Sequence, residues 1–129
     1  MILIDTHIFV WWTSDPERLR SSHREVLSTR AERFALSVIS CWEVAKLVEY
    51  GRLDLDRPVL EWIVSALERH HLELLPLTPT IAVESTQLPD PFHRDPADQI
   101  IVATARINEI PLLTEDSKII DYPHVPLVR

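Results

Sequence analysis

Glycine is nearly absent from this chain of 129 residues, in which Gly51 is the only one. Phosphate-binding loops of the nucleotide-binding folds need several glycines, because the backbone has to approach the phosphate closely. The sequence therefore contains neither the P-loop nor the dinucleotide-binding fingerprint. The glycines that flank the serine of a nucleophile elbow are missing as well. Ser37 and Ser40 are thus weak candidates for a serine-based catalytic triad.

Cysteine and positive charge are also scarce. The single cysteine, Cys41, cannot form a disulfide within the chain and is typical of a reducing cytoplasm, where we expect the protein to act. Thirteen Lys and Arg residues against twenty Asp and Glu residues leave a net charge of −7. This balance does not favour a broad electrostatic contact with nucleic acid. Any such contact has to be local or assisted by a metal ion.

Long apolar runs are missing too. No uncharged stretch approaches the roughly 18 residues that a membrane span requires. The N-terminal sequence MILIDTH has no basic leader before a long apolar run, so it does not predict a secretory signal. The length and the 46% hydrophobic content fit one globular unit. We therefore expect a single domain over residues 1–129 without membrane association.

Short apolar runs alternate with segments of helical spacing along the chain. Apolar runs predict strands over residues 1–4, 34–36, 74–77 and 110–114, and the tail VPLV is a candidate for a last edge strand. Helices are predicted between Ser40, as N-cap, and Gly51, and over residues 58–70, 80–87 and 96–108. Strands that alternate with helices favour right-handed crossovers and a parallel sheet. The predicted fold is a three-layer α/β/α domain around a central parallel sheet of four to five strands.

Four acidic residues lie where predicted strands end or predicted helices begin. Asp5 follows the first strand, and Glu43 lies in the first turn of the helix after the second. Asp98 lies in the first turn of the helix over 96–108, and Asp116 follows the strand over 110–114. In a parallel α/β sheet these positions share one edge, where such folds bind ligands. We expect the four acids to face one crevice.

Helix capping is an alternative explanation for most of these acids. Asp95 is well placed as an N-cap, with Pro96 at the first helical position and Asp98 three residues on. Glu43 could close a capping box with Ser40 in the same way. Each position taken alone fits a structural role, and Asp116 could likewise cap a short helix.

Asp5 does not fit that alternative, because it continues an apolar strand into the core. Burying an unpaired carboxylate costs several kcal/mol. Several ionised carboxylates in one crevice repel one another, so they either bind protons or share a cation. Hard oxygen ligands of this kind suit Mg²⁺ or Mn²⁺. The pattern favours a metal site, at which a bound ion can activate water and support phosphodiester hydrolysis.

Four segments resemble the PIN-domain ribonucleases, and specifically the VapC-type toxins of bacterial toxin–antitoxin pairs. They are LIDTHIFVWW, LSVISCWEVAKLVEYGRL, HRDPADQIIVATA and IPLLTED, and they follow in this order through almost the whole chain. The resemblance implies a PIN-like fold and a metal-dependent endoribonuclease that uses Mg²⁺ or Mn²⁺ on an RNA substrate. It also implies a homodimer that a VapB-like antitoxin inhibits.

The resemblance assigns roles to eight residues. Those that match the acidic metal-binding and catalytic positions are Asp5, Glu43, Asp98 and Asp116. Those that match polar residues supporting them are Thr6, Ser40, Asp95 and Thr114. Asp95 is expected to cap its helix and orient the loop before it. The helix motif usually reads HRDPFDR in this subgroup, whereas Ala97 and Gln99 stand in this chain.

Aromatic and basic residues give further candidates. An antitoxin segment would find an anchor at Trp11, Trp12 or Trp42, although core packing is the simpler explanation for tryptophans with apolar neighbours. The candidates for local contact with RNA phosphate are Lys46, Arg52, Arg94, Arg106 and Lys118, of which Arg94 or Arg106 could replace the missing basic residue at position 99.

Two other functions stay open on sequence grounds. One is a phosphoacceptor signalling module of the receiver type, which has a similar length and also places acids at strand ends. It would need an acidic pair after the first strand and a Lys followed by Pro after the last, and DTH and DSKII provide neither. The other is a catalytically inactive interaction domain of the same architecture, for which the complete set of acids is unexpected.

Overall fold

A computed structural model describes all residues from 1 to 129. The strands are β1 (Ile2–Ile4), β2 (Phe34–Ser37), β3 (Glu73–Leu75) and β4 (Leu112–Leu113). The helices are α1 (Thr6–Ser14), α2 (Ser21–Leu27), α3 (Val38–Glu49), α4 (Val59–Arg69), α5 (Pro79–Ser85), α6 (Pro96–Asn108) and α7 (Ser117–Ile120). A short 3₁₀ turn, Pro16–Arg18, links α1 to α2. None of the helices is both long and apolar enough to cross a membrane.

The four strands form one parallel sheet in the order β3-β2-β1-β4. Ile4 at the end of β1 lies opposite Leu36 of β2 and Leu113 of β4, so the strand ends are level. This confirms the predicted parallel sheet and places the third strand at an edge, as its neighbouring proline indicates. The tail contributes only an isolated bridge between Leu112 and Leu127, and no fifth strand forms.

Helices cover both faces of the sheet, as predicted. Successive strand residues point to opposite faces, so Ile2 and Ile4 join one core and Leu3 joins the other. The first core includes buried residues of α1, α2, α3 and α4, and the second includes those of α6 and α7. Both faces are therefore apolar, which is why the strand sequences are continuously apolar rather than alternating.

The start of helix α3 differs from the prediction, whereas its end agrees with it. Helix α3 starts two residues before the predicted cap, with Ser37 as N-cap accepting from the backbone N–H of Ile39. The prediction that Ser40 caps this helix was wrong, because Ser40 lies inside the first turn and is fully buried. Gly51 ends the helix as expected, with a φ of 68° that suits a residue without Cβ.

Helix α2 was not predicted from the sequence. It has seven residues, and only Leu27 among them is buried, so its apolar pattern is too short to detect. The predicted helix over 96–108 is observed with the same bounds, Pro96–Asn108. Its signals are stronger, because a capping aspartate, a proline at the first position and a long apolar face all agree.

Candidate active site

A cleft of about 450 Å³ lies at the carboxyl edge of the sheet. Its acidic lining residues are Asp5, Asp15, Glu43, Asp95, Asp98 and Asp116. All four acids assigned to metal binding are therefore in one cleft, together with Asp95. The level strand ends explain this convergence. Asp5 directly follows β1, Asp116 lies three residues after β4, and β2 leads into the helix carrying Glu43.

Asp5 is the most buried acid of the cleft, with 2% of its surface exposed. Its Oδ1 accepts from the backbone N–H of Thr6 at 2.8 Å, which makes Asp5 the N-cap of α1. The expectation that capping does not apply to Asp5 was therefore wrong, because β1 runs straight into α1 and Asp5 is the residue between them. Its Oδ2 accepts from the Thr114 hydroxyl at 2.7 Å. Both carboxylate oxygens thus have donors, and these bonds fix the orientation of the side chain.

The Thr114 hydroxyl also connects Asp5 with Asp116 through hydrogen bonds. The backbone N–H of Asp116 donates to Thr114 Oγ1 at 3.0 Å, while the same hydroxyl donates to Asp5. Asp116 Oδ1 accepts from the backbone N–H of Lys118 at 2.9 Å and caps α7. Asp116 therefore lines the cleft and caps a helix at the same time.

Thr6 and Ser40 support Glu43. The Thr6 hydroxyl donates to Glu43 Oε1 and lies 2.8 Å from Ser40 Oγ. Glu43 therefore contacts α1 rather than closing a capping box with Ser40, which corrects that alternative. Burial raises the pKa of Glu43 to about 7, the bond from Thr6 opposes the rise, and the negative charges of Asp5 and Asp95 add to it.

Asp95 and Asp98 complete the cleft at the start of α6. Asp95 Oδ1 accepts from the backbone N–H of Asp98 at 3.1 Å, which confirms the predicted N-cap. Glu43, Asp95 and Asp98 each bring one carboxylate oxygen within 4.8 Å of the others. Asp95 could thus share a cation with these two neighbours, although the sequence assigned it only a supporting role.

The electrostatics of Asp98 indicate why a cation fits this site. Burial raises the pKa of Asp98 to about 8, and the nearby charges of Asp5, Asp95, Glu43 and Asp116 add to the rise. Near neutral pH, Asp98 is therefore mostly protonated and Glu43 about half protonated unless a bound cation displaces the protons. All the donors are hard oxygens, which suit Mg²⁺ or Mn²⁺. Mg²⁺ keeps several waters and needs only one or two direct carboxylates, so the cluster is sufficient.

Two histidines border the acids. His93 Nε2 lies 3.0 Å from Asp98 Oδ2 but outside hydrogen-bond geometry, and this buried nitrogen has no other partner. His7 Nε2 accepts from the backbone N–H of Glu115 at 3.0 Å. Because a backbone N–H can only donate, Nδ1 is the nitrogen of His7 that carries the hydrogen, and it lies 3.5 Å from Asp5 Oδ2.

The predicted basic contacts are only partly found in the cleft. Arg52 lines it, but Arg106 pairs with Glu84 at 2.7 Å and donates to the His124 carbonyl. The prediction that Arg106 could replace a basic residue at position 99 was therefore wrong, since Glu84 holds it elsewhere. Lys46 pairs with Glu49 at 2.8 Å on an exposed face.

Sequence reasoning missed Arg18 and the position of Trp11. Both line the cleft, and the Arg18 guanidinium lies over the Trp11 ring at 4.6 Å from its centroid. No motif includes Arg18, because it follows Pro16 in an irregular turn. The only signal available was that it lies soon after the LIDTHIFVWW segment.

Comparison of sequences connects this site with known proteins. The family model of the PIN domain matches residues 2–125. Ribonuclease VapC22 of Mycobacterium tuberculosis is 34% identical over 123 residues, which cover 95% of this chain and 92% of the relative.

Solved structures agree with the fold. VapBC2 from Rickettsia felis, bound to a DNA fragment from its promoter, contains a chain that superimposes with a TM-score of 0.73 at 19% identity, covering 99% of this chain and 98% of that one. FitAcB from Neisseria gonorrhoeae gives 0.65 at 25% identity, with coverages of 100% and 97%. With the family match over residues 2–125 and the 34% identical relative, these findings show that the chain belongs to the PIN domain family and is of the VapC type.

Proposed function

We propose that this chain is an endoribonuclease, the toxin of a type II toxin–antitoxin pair, which hydrolyses RNA phosphodiester bonds with Mg²⁺ or Mn²⁺ in the acidic cleft. The observation that carries the proposal is the convergence of carboxylates from four separate segments on one cleft. The ribonuclease name of the 34% identical relative supports the reaction class. We expect the enzyme to act in the cytoplasm, where RNA is available.

In this proposal, some acids of the cleft bind the cation directly and others add negative charge beside it. Glu43, Asp95 and Asp98 are the proposed direct ligands, because their oxygens are grouped within 4.8 Å of one another. Asp5 and Asp116 would add negative charge beside them, with Asp5 held in place by Thr6 and Thr114. A divalent ion held there would activate water for attack and offset the negative charge that develops on the phosphate.

The hydroxyl and capping contacts keep this arrangement rigid. Thr6 orients Glu43, Ser40 packs beside Thr6, and Thr114 joins Asp5 to the backbone of Asp116. We propose that these contacts hold the ligands in position for binding a cation. Preorganised ligands avoid the cost of reorganisation when charge develops at the phosphate.

We further propose an antitoxin partner and a homodimer. Several of the similar structures are toxin–antitoxin complexes, including one from Klebsiella pneumoniae and the VapBC complexes. A net charge of −7 favours a partner that is basic where it contacts the cleft. Among the three candidate anchors, Trp42 is 52% exposed on α3, whereas Trp12 stacks on His70 at 3.8 Å.

Cleavage of a labelled RNA by the purified chain tests the function. We expect Mg²⁺ or Mn²⁺ to support cleavage, EDTA to abolish it, and Asp98→Asn or Glu43→Gln to lower kcat by at least about 100-fold, since each removes a proposed ligand. Glu25→Gln is the matched control, because Glu25 is exposed on α2 outside the cleft, and it should cleave like the wild type.

Cleavage that persists in EDTA, or that Asp98→Asn leaves unchanged, would contradict the proposal. Either result would favour a contaminating nuclease together with one of the alternative roles, a phosphoacceptor module or an inactive interaction domain. A phosphoacceptor would instead gain one phosphate on treatment with a small phosphodonor, which mass spectrometry detects.

A further inference from the structure

Two guanidinium groups in the acidic cleft have no carboxylate partner. Arg18 and Arg52 both line it, beside six carboxylates. Yet neither takes part in any of the ion pairs of the molecule, all of which join atoms within 4.0 Å. Both side chains belong to exposed residues, so they are accessible from solvent. These two cations are therefore free to bind an anion that enters the cleft.

Trp11 gives Arg18 a defined position. The guanidinium of Arg18 lies 4.6 Å from the Trp11 ring centroid, a cation–π contact. The ring of His7 lies 5.0 Å from the Trp11 ring at an angle of 57°. Trp11 thus contacts both Arg18 and the histidine beside Asp5, and its indole packs against the core. Arg18 is held near the acids by stacking rather than by charge pairing, which leaves its donors unused.

The negative charge of the molecule explains why RNA binding would need unpaired arginines in the cleft. An RNA strand approaching a cleft with six carboxylates, in a protein of net charge −7, meets repulsion at every phosphate that a metal ion does not neutralise. Local cations on the wall of the same cleft offset that repulsion. Arginine suits this task, because its planar fork donates two hydrogen bonds to one phosphate.

We infer that Arg18, positioned by Trp11, and Arg52 bind backbone phosphates of an RNA strand that enters the acidic cleft. This inference rests on the proposed nuclease function and adds a substrate-binding subsite to it. Both arginines lie beside the proposed metal site, so a phosphate chain can contact them and the bound cation at once. This favours RNA as the occupant, and an acidic segment of a protein partner is the alternative outcome of the test.

Steady-state kinetics on the full chain with Mg²⁺ test the subsite. Arg18→Gln and Arg52→Gln should each raise KM by about tenfold and change kcat by less than about twofold, because a phosphate contact positions the substrate without taking part in the reaction. Each variant should also make log KM depend less steeply on log salt concentration. The slope should fall by the amount that corresponds to the loss of roughly one phosphate contact. Arg30→Gln removes the same charge at an exposed site outside the cleft and should change neither quantity.

Trp11 variants test the positioning of Arg18. Trp11→Leu should raise KM in the same direction as Arg18→Gln, while Trp11→Phe, which keeps an aromatic face, should retain most of the wild-type KM. If stacking is the mechanism, Trp11→Leu combined with Arg18→Gln is no worse than Arg18→Gln alone. Equal thermal unfolding midpoints of Trp11→Phe and wild type ensure that the comparison reports on folded protein.

Direct binding separates this inference from the nuclease proposal. Fluorescence anisotropy with labelled RNA in the Asp98→Asn background should show weaker binding on adding Arg18→Gln, whether or not the wild type cleaves RNA. Weaker binding without wild-type cleavage keeps the subsite and rejects the nuclease. Unchanged KM, salt slope and RNA affinity in Arg18→Gln and Arg52→Gln overturn the subsite and leave the arginines to a protein partner. A loss confined to kcat overturns it as well.

Discussion

Threonine hydroxyls, rather than basic side chains, support the acids of the cleft at the scale of single residues. Thr6 contacts Glu43 and Ser40, and Thr114 donates to Asp5 while accepting from the backbone of Asp116. A hydroxyl fixes a carboxylate without neutralising it, so the negative charge stays available to a cation. An arginine in the same place would compete with the metal ion for the carboxylate.

Thr114→Val tests how much the Thr114 hydroxyl contributes to stability and to the site. The substitution keeps the shape of a buried side chain but leaves Asp5 Oδ2 and the N–H of Asp116 without their partner. We expect a loss of about 1–3 kcal/mol in the free energy of unfolding, read from urea denaturation. Cleavage and Mg²⁺ affinity should fall together, since the orientation of Asp5 is no longer fixed.

Thr29→Val is the matched control for that experiment. Thr29 is exposed, and its hydroxyl bonds only to the Glu25 carbonyl. The change should alter stability by less than about 0.5 kcal/mol. Equal losses in the two variants would mean that the loss in Thr114→Val does not come from the contact with Asp5.

At the scale of secondary-structure elements, capping and ligand binding are not alternatives. Asp5 caps α1, Asp95 caps α6 and Asp116 caps α7, each through its Oδ1. A carboxylate has two oxygens, so one can accept from the helix while the other faces the cleft. The positive ends of three helices therefore converge on the acids and offset part of their repulsion.

Substitutions of Asp95 separate its two roles. Asparagine caps a helix about as well as aspartate, whereas alanine does not. We expect Asp95→Asn to keep the free energy of unfolding within about 0.5 kcal/mol of wild type, and Asp95→Ala to lose about 1 kcal/mol. Both should weaken Mg²⁺ binding in isothermal titration calorimetry, because both remove a charge from the group with Glu43 and Asp98.

One outcome would contradict the proposal that Asp95 is a metal ligand. If Asp95→Asn binds Mg²⁺ like the wild type while Asp95→Ala is destabilised, Asp95 is a cap only. The supporting role assigned to it from the sequence would then be sufficient.

At the scale of the whole molecule, the acidic cleft couples stability to pH, and the proposed metal site would couple it to divalent ions as well. The folded protein holds protons on Asp98 and Glu43 up to pH values of about 8 and 7, well above the range in which the unfolded chain loses them. The folded state thus binds more protons than the unfolded state between these limits. Stability must therefore fall as pH rises through the folded pKa values.

Between pH 6.5 and pH 8, the contribution of Asp98 and Glu43 to the pH dependence of stability can be separated from that of His70. Burial lowers the pKa of His70 to about 4 from 6.5, so its own contribution to stability is lost only as pH falls below 6.5. In metal-free buffer we expect the free energy of unfolding to drop by ~1 kcal/mol between pH 6.5 and pH 8, after allowing for solvent screening of a partly exposed site. Urea denaturation at several pH values measures it.

Two comparisons check the cause of that drop. Asp98→Asn should flatten the pH dependence, whereas Glu25→Gln, outside the cleft, should keep it. Saturating Mg²⁺ should stabilise the protein more at pH 8 than at pH 6.5, because the ion binds the deprotonated carboxylates. A wild-type protein whose stability is constant over this window would show that the acids do not share one site.

The sequence by itself determined the layer order, the parallel sheet and the edge of the sheet at which the acids lie. These follow from local signals: short apolar runs, helical spacing, and caps such as Asp95 before Pro96. Because parallel strands end at a common edge, residues that follow them converge without any knowledge of packing. Four of the six acids of the cleft could be chosen for this reason.

Only the tertiary structure decided which groups contact one another inside the cleft. Thr114 meets Asp5 across 109 positions of the chain, and Thr6 meets Glu43 across 37, distances at which no local pattern carries information. The inclusion of Asp95 in the tight acidic group and the stacking of Arg18 on Trp11 depend likewise on side-chain orientation. So do the raised pKa values of Glu43 and Asp98, because desolvation is set by how distant helices pack over the strand ends.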